Sequence, residues 1–285
     1  MISYFQATVL GILQGVSEPF PISSLGHSVI VPKLFGWNLS QSNNSFVTFL
    51  VATHFATALV FLGLFWDDWV RIIRGLVRSI RQRRLDPDDI DARLGWLLVI
   101  ATVPAGIVGL ALQHSLEKLF GNARLVAVIL ILNGLMLLGA ESLRQRAHVD
   151  DEDEDARLAK GLTSKSAFSI GLAQALALIP GFSRSGASMS GGLLSGLSHR
   201  DAARFSFLLA TPIIAAAALL KLPGLFGSAG NGIRGQALVG AIFAAIAAWL
   251  SVRFLLRFFE MNRLTPFGIY CIVAGAASLV WLTLA

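Results

Sequence analysis

Charge is scarce in this chain. Only 14% of its 285 residues are Asp, Glu, Lys or Arg, whereas 55% are hydrophobic and mean hydropathy is +0.69. Soluble domains carry roughly 25% charged residues, so a soluble domain with one anchor is excluded and a chain that crosses a membrane several times is expected. Cysteine is nearly absent. Cys271 stands alone in an apolar run, which leaves no intrachain disulfide and no cysteine metal cluster. The short alternating segments of a transmembrane barrel are also missing. Continuous apolar runs take their place, and in lipid such runs satisfy their backbone only as helices. The first residues lack a basic n-region, so no cleavable signal peptide is expected. The formal charge of +6 is spread over several loops. It therefore argues against a nucleic-acid partner and serves as a topology signal.

Six apolar runs, about 46–66, 94–113, 123–143, 202–222, 234–256 and 265–284, have the length needed to cross a bilayer. Two pairs of shorter segments, 3–20 with 28–37 and 166–180 with 187–198, are read as re-entrant helix–loop–helix hairpins. The segment 67–93 carries Arg71, Arg74, Arg78, Arg81, Arg83, Arg84 and Arg93, and the loop after Glu141 carries Arg144, Arg146, Arg157, Lys160 and Lys165. Both are expected in the cytoplasm. The acidic run Asp150–Asp155 reads as a solvated loop. The connections at His114–Arg124 and Pro223–Gly232 are expected outside.

Two stretches look like copies of each other. Gly11, Gln14, Ser23 and Gly26 fall on Gly171, Gln174, Ser183 and Gly186, 160 positions later. F-L-V-A-T-H from Phe49 then resembles F-L-L-A-T-P from Phe207. The Arg bias places the first hairpin on the external side and the second on the cytoplasmic side, so the halves are inverted and their tips meet near the midplane. The expected architecture is all-α: one integral membrane domain over 1–285, a polytopic helix bundle of two inverted repeats, each with a re-entrant helix–loop–helix hairpin. The repeat halves are about 1–66 and 166–222, and spans 94–143 and 234–284 complete the bundle.

Polar groups inside an apolar chain mark a site. The first tip supplies Gln14, Glu18, Ser23, Ser24 and His27, with Gln14 and Glu18 on one helix face and Pro19 and Pro21 breaking the helix. The second supplies Ser183, Arg184, Ser185 and Ser188 after Pro180-Gly181. An Arg among serines at the start of a short helix suits an anion, because its planar fork matches phosphate oxygens and a helix N-terminus adds free N–H groups. Acid, hydroxyl and imidazole opposite an anion clamp suit phosphoryl transfer, which is mostly positioning and charge stabilisation. A carboxylate beside phosphate calls for a divalent cation between them, so Glu18 and Gln14 form the candidate metal site.

The stretch Q-G-V-S-E-P-F-P-I-S-S-L-G-H resembles the (E/Q)xxxE and S-S-x-G-H signature of the bacterial undecaprenyl-pyrophosphate phosphatase (bacitracin-resistance) family. P-G-F-S-R-S-G-A-S resembles its P-G-x-S-R-S-x-x-T signature. The likeness covers essentially the whole chain. It implies an integral membrane phosphatase of the plasma membrane that removes the terminal phosphate of undecaprenyl pyrophosphate, uses a divalent cation (Mg or Ca), and opens toward the outer face. By position it implies Ser24 as the nucleophile and His27 as the motif histidine; the residues themselves leave both Ser24 and His27 as candidates to attack phosphorus, and Ser24, His27 and Glu18 form the candidate catalytic set. It further implies Gln14 and Glu18 at metal and pyrophosphate, and Ser183 with Arg184 at phosphate; the neighbouring hydroxyls of Ser23, Ser185 and Ser188 complete the candidate phosphate-binding set. The chain departs from the pattern at Ser188, where Thr is usual, at Pro19, where an aromatic is usual, and at Tyr270-Cys271, where Tyr-Arg is frequent. The expected partners are a prenyl pyrophosphate lipid and membrane lipids, and a homodimer is compatible with the sequence. A lipid-phosphate transporter or flippase is the alternative, since broken helices in inverted repeats also build transporters. Such a protein needs the clamp but no nucleophile.

Overall fold

A computed structural model describes residues 2–37, 39, 43–117, 122–144 and 154–284. Among these residues the chain is all-α. α1 (Tyr4–Ser17) and α2 (Ser24–Leu34) form the first hairpin, followed by α3 (Asn44–Leu64), α4 (Trp66–Gln82), α5 (Ile90–Glu117) and α6 (Ala123–Leu143). After α7 (Glu154–Gly161), α8 (Ser164–Ala175) and α9 (Arg184–Leu194) form the second hairpin, followed by α10 (His199–Lys221), α11 (Arg234–Met261) and α12 (Thr265–Leu284). Helices α3, α5, α6, α10, α11 and α12 are long and apolar enough to cross a membrane, as the apolar runs predict. The protein is a multi-pass membrane helix bundle.

The hairpin arms cannot cross. α2 and α9 have 11 residues each, which at 1.5 Å per residue is roughly 16 Å, about half the hydrocarbon thickness. Their polar ends must therefore find partners inside the protein. The packing is crosswise: α1 lies against α11, α8 against α5, and α6 against α12. Matched glycines allow the first two approaches. A Cβ on Gly11 would sit 2.3 Å from the carbonyl oxygen of Gly240, and one on Gly171 would sit 2.4 Å from that of Ala101. Small residues at such crossings are the usual route to close helix contact in lipid. Between the halves, Phe61 of α3 stacks on Phe207 of α10 at a centroid distance of 5.8 Å.

The charged segments between spans depart from expectation in two places. Within 67–93, residues 67–82 are not a loop but belong to the amphipathic α4, whose Ser79 is buried and accepts a hydrogen bond from the Trp96 indole at 2.9 Å. Of the acidic run, residues 150–153 lie outside the described residues. Asp155, at the start of α7, is buried rather than solvated. It accepts from the guanidinium of Arg71, and from Arg204 at 2.8 Å, tying α7 to α4 and α10. A carboxylate is removed from water only when cations compensate it, and two arginines supply that here.

Candidate active site

α1 ends where the prolines force it to end. The Glu18 N–H still donates to the Gln14 carbonyl at 2.9 Å, but Pro19 and Pro21 have no N–H to continue the ladder. The chain turns and reaches Ser23 at φ +70°, a sparsely populated conformation for a residue with a Cβ. Ser23 is held there by its role as cap: its Oγ accepts the Gly26 N–H at 3.1 Å and opens α2. The second tip repeats the device. Gly181 turns at φ +109°, where a Cβ would lie 2.7 Å from both the Val126 carbonyl oxygen and Ile129, so only glycine fits. Ser183 then caps α9 by accepting the Gly186 N–H at 3.1 Å.

The tips interlock. Ser185 Oγ donates to the Phe20 carbonyl of the first tip at 2.9 Å. Asn133, from the middle of α6, bridges the two. Its Nδ2 donates to the Pro21 carbonyl at 3.1 Å, and its Oδ1 accepts the Ser183 N–H at 2.9 Å. Across this seam Arg184 Nε lies 3.2 Å from Glu18 Oε1. The other oxygen, Glu18 Oε2, accepts from Ser24 Oγ at 2.7 Å and from Gln14 Nε2 at 3.0 Å, and faces His54 Nε2 at 3.4 Å. Glu18 is thus a buried carboxylate whose charge is compensated by donors from three helices, α1, α2 and α9. Arg184 also donates from Nη1 to the Ser206 carbonyl at 3.0 Å. Within this network Arg184 Nη2, the second guanidinium nitrogen, and Gln14 Oε1 are buried without a protein partner. One is a donor suited to an anion, the other an oxygen suited to a cation.

Four expected site residues, Gln14, Glu18, Ser24 and Arg184, therefore form one network. The others sit around it. Ser23 and Ser183 cap helices. Ser185 joins the tips. Ser188 Oγ donates to Ser206 Oγ at 2.7 Å, toward α10. His27 lies apart from Ser24: its Nδ1 meets the Ser23 carbonyl at 2.7 Å, and its Nε2 meets the Tyr270 hydroxyl at 2.8 Å. Because a carbonyl only accepts, Nδ1 carries a proton, and Nε2 is left to the tyrosine hydroxyl. The hydroxyl of Ser24 thus points at a carboxylate, not at the imidazole three residues on.

The chain is matched by known proteins over nearly its whole length. Residues 7–277 match the family described as bacitracin resistance protein BacA. The chain belongs to the BacA family. It is 48% identical over 304 residues to a protein of Mycolicibacterium paratuberculosis named undecaprenyl-diphosphatase, covering 99% of this chain and 98% of that one. It is 48% identical over 274 residues to undecaprenyl-diphosphatase 2 of Burkholderia thailandensis, covering 95% and 94%. It is 44% identical over 333 residues to undecaprenyl-diphosphatase 2 of Frankia alni, covering 96% of each.

In this BacA-family chain two contributors escaped the motif reading, Asn133 of α6 and His54 of α3, and Tyr270 of α12 was noted there without a role. For Asn133 and His54 a signal was present, because a lone amide and a lone imidazole inside apolar spans are costly unless used. Cys271 sits buried under the first tip, where its sulfur lies 3.3 Å from Asn133 Nδ2. A neutral thiol therefore fills that place. The donors at hand fit a hard divalent cation. Glu18 gives a carboxylate and Gln14 Oε1 a partnerless buried oxygen, and ions of the Mg²⁺ type complete such a sparse set with water and substrate phosphates.

Proposed function

We infer that this protein is an integral-membrane phosphatase that hydrolyses undecaprenyl pyrophosphate to undecaprenyl phosphate and inorganic phosphate. The observation that carries the chemistry is the 2.7 Å hydrogen bond from Ser24 Oγ to Glu18, at a carboxylate braced by Arg184 from the opposite tip. A serine becomes a nucleophile when a neighbouring base takes its proton. In our reading the pyrophosphate enters where α2 and α9 begin. Their uncapped N–H groups and Arg184 Nη2 receive its oxygens. Ser24 Oγ attacks the terminal phosphorus as the Glu18 carboxylate accepts the hydroxyl proton. The bond from that phosphorus to the bridging oxygen breaks, and prenyl phosphate leaves. Water then attacks the phosphoserine, Ser24 Oγ recovers its proton from Glu18, and orthophosphate departs with the protons of the water. A divalent cation held by Glu18 and Gln14 would neutralise the pyrophosphate charge. His27, fixed by Ser23 and Tyr270, sets the shape of the tip beside Ser24.

The remaining parts of the reading are topological. The crosswise packing of α1 on α11 and α8 on α5 supports two halves related by inversion, with both tips near the midplane. Arg-rich α4 and the segment after Glu141 belong in the cytoplasm. The protein then resides in the bacterial plasma membrane with its site opening outward, as a monomer or homodimer. The prenyl tail stays in lipid and enters laterally. The test is phosphate release by the purified protein in detergent, supplied with Mg²⁺ and a prenyl pyrophosphate. Micelles have no second compartment, so a flippase would release nothing, whereas the phosphatase turns over.

A further inference from the structure

His54 lies in the middle of α3, an apolar span, at the position where the second half of the chain has Pro212. It therefore has no counterpart in the repeat, and lipid exposure does not account for it. Its Nδ1 is 2.8 Å from the Leu50 carbonyl oxygen, which can only accept, so Nδ1 carries a proton. That bond fixes the ring and aims Nε2 at Glu18 Oε2, 3.4 Å away. A histidine whose other ring nitrogen donates to a backbone carbonyl is the arrangement that orients imidazole toward a metal. Two donors bonded to one ion at about 2.1 Å, with an angle of 90–110°, lie about 3.0–3.4 Å apart. The separation of His54 Nε2 and Glu18 Oε2 matches that span.

We propose that His54 Nε2 is a ligand of the divalent cation, beside Glu18 and Gln14. This rests on the reading that a cation binds at Glu18. One nitrogen among oxygens shifts the site from a purely Mg²⁺- or Ca²⁺-like set toward one that also accepts Mn²⁺ and similar ions. It holds the ion on the α3 side of Glu18, leaving Oε1 to Arg184.

The test uses Mn²⁺ alone as probe on the full-length protein in detergent. Binding is measured by electron paramagnetic resonance, and nitrogen coupling by electron spin-echo modulation. Wild type is expected to bind Mn²⁺ with a ¹⁴N coupling of imidazole type. His54→Gln should keep an oxygen donor, retain bound Mn²⁺, and lose that coupling, while His27→Gln keeps it. His54→Leu should weaken Mn²⁺ binding by more than about tenfold, since even groups behind a ligand often cost that much. Wild type that binds Mn²⁺ without ¹⁴N coupling, or a coupling lost in His27→Gln and kept in His54→Gln, overturns the proposal while the cation at Glu18 stands. Wild type that binds no Mn²⁺ overturns the cation reading and this proposal together. Should His54→Leu fail to fold, the coupling in His54→Gln decides.

Discussion

Arg184 does two things that a point charge cannot do together. It braces Glu18 through Nε and the Ser206 carbonyl through Nη1, and it keeps Nη2 for a phosphate oxygen. Lysine has the charge but not the fork. Hydrogen bonds to charged groups contribute about 1.5–3 kcal/mol each, so Arg184→Lys should lower kcat/KM roughly 10- to 100-fold with the protein still folded. Near-normal turnover would demote Arg184 to packing. The residues that could be read in the sequence, Glu18 and Arg184, are charged groups in apolar surroundings, where cost alone betrays a role. What the sequence did not reveal is who partners whom. Ser24 stands three positions from His27, yet its proton partner is Glu18, because Ser23 at positive φ rotates the start of α2. Asn133 was equally hidden: its function is to hold two loops that meet only in three dimensions.

At the scale of elements, the short hairpin arms depend on backbone-to-backbone contact for their placement. Gly11 lets α1 lie on Gly240 of α11, and neither backbone can give way easily. Gly11→Ala should therefore push α1, and with it Gln14 and Glu18, off register. Overpacking of this kind typically costs about 1–3 kcal/mol. The expected result is a lowered Tm in detergent together with reduced turnover, whereas Gly63→Ala, with open space around it, should change neither. Unchanged stability in Gly11→Ala would remove the crossing from the account. The spans themselves were legible, since length and hydropathy bound them within a few residues. The helical α4 and the buried Asp155 were not legible. Charge runs read as solvated until it is seen that Arg71 and Arg204 reach across to pair with this one.

For the whole molecule, orientation follows from the distribution of arginine. Gln82 at the end of α4 and Asn231 before α11 are both exposed and lie on loops assigned to opposite sides. Cys271 is buried and can stay. In intact cells an impermeant thiol reagent should label Asn231→Cys and spare Gln82→Cys. The reverse would turn the molecule over and move phosphate release to the cytoplasm. The duplicated motifs foretold two tips, but not that α1 would pack on a helix of the other half and α8 on a helix of the first. Such swaps are decided by surface fit between helices rather than by any single segment.

The central claim is that two hairpin tips make one site in which Ser24 attacks phosphorus and Glu18 takes its proton. Rapid quenching of the purified protein with a prenyl pyrophosphate labelled in its terminal phosphate, followed by peptide mass spectrometry, tests it most directly. The account predicts label on Ser24, formed within the first turnover and absent in Ser24→Ala and in Glu18→Gln. Label on His27, or turnover with no phosphoenzyme in a Ser24→Ala variant of wild-type rate, would contradict it.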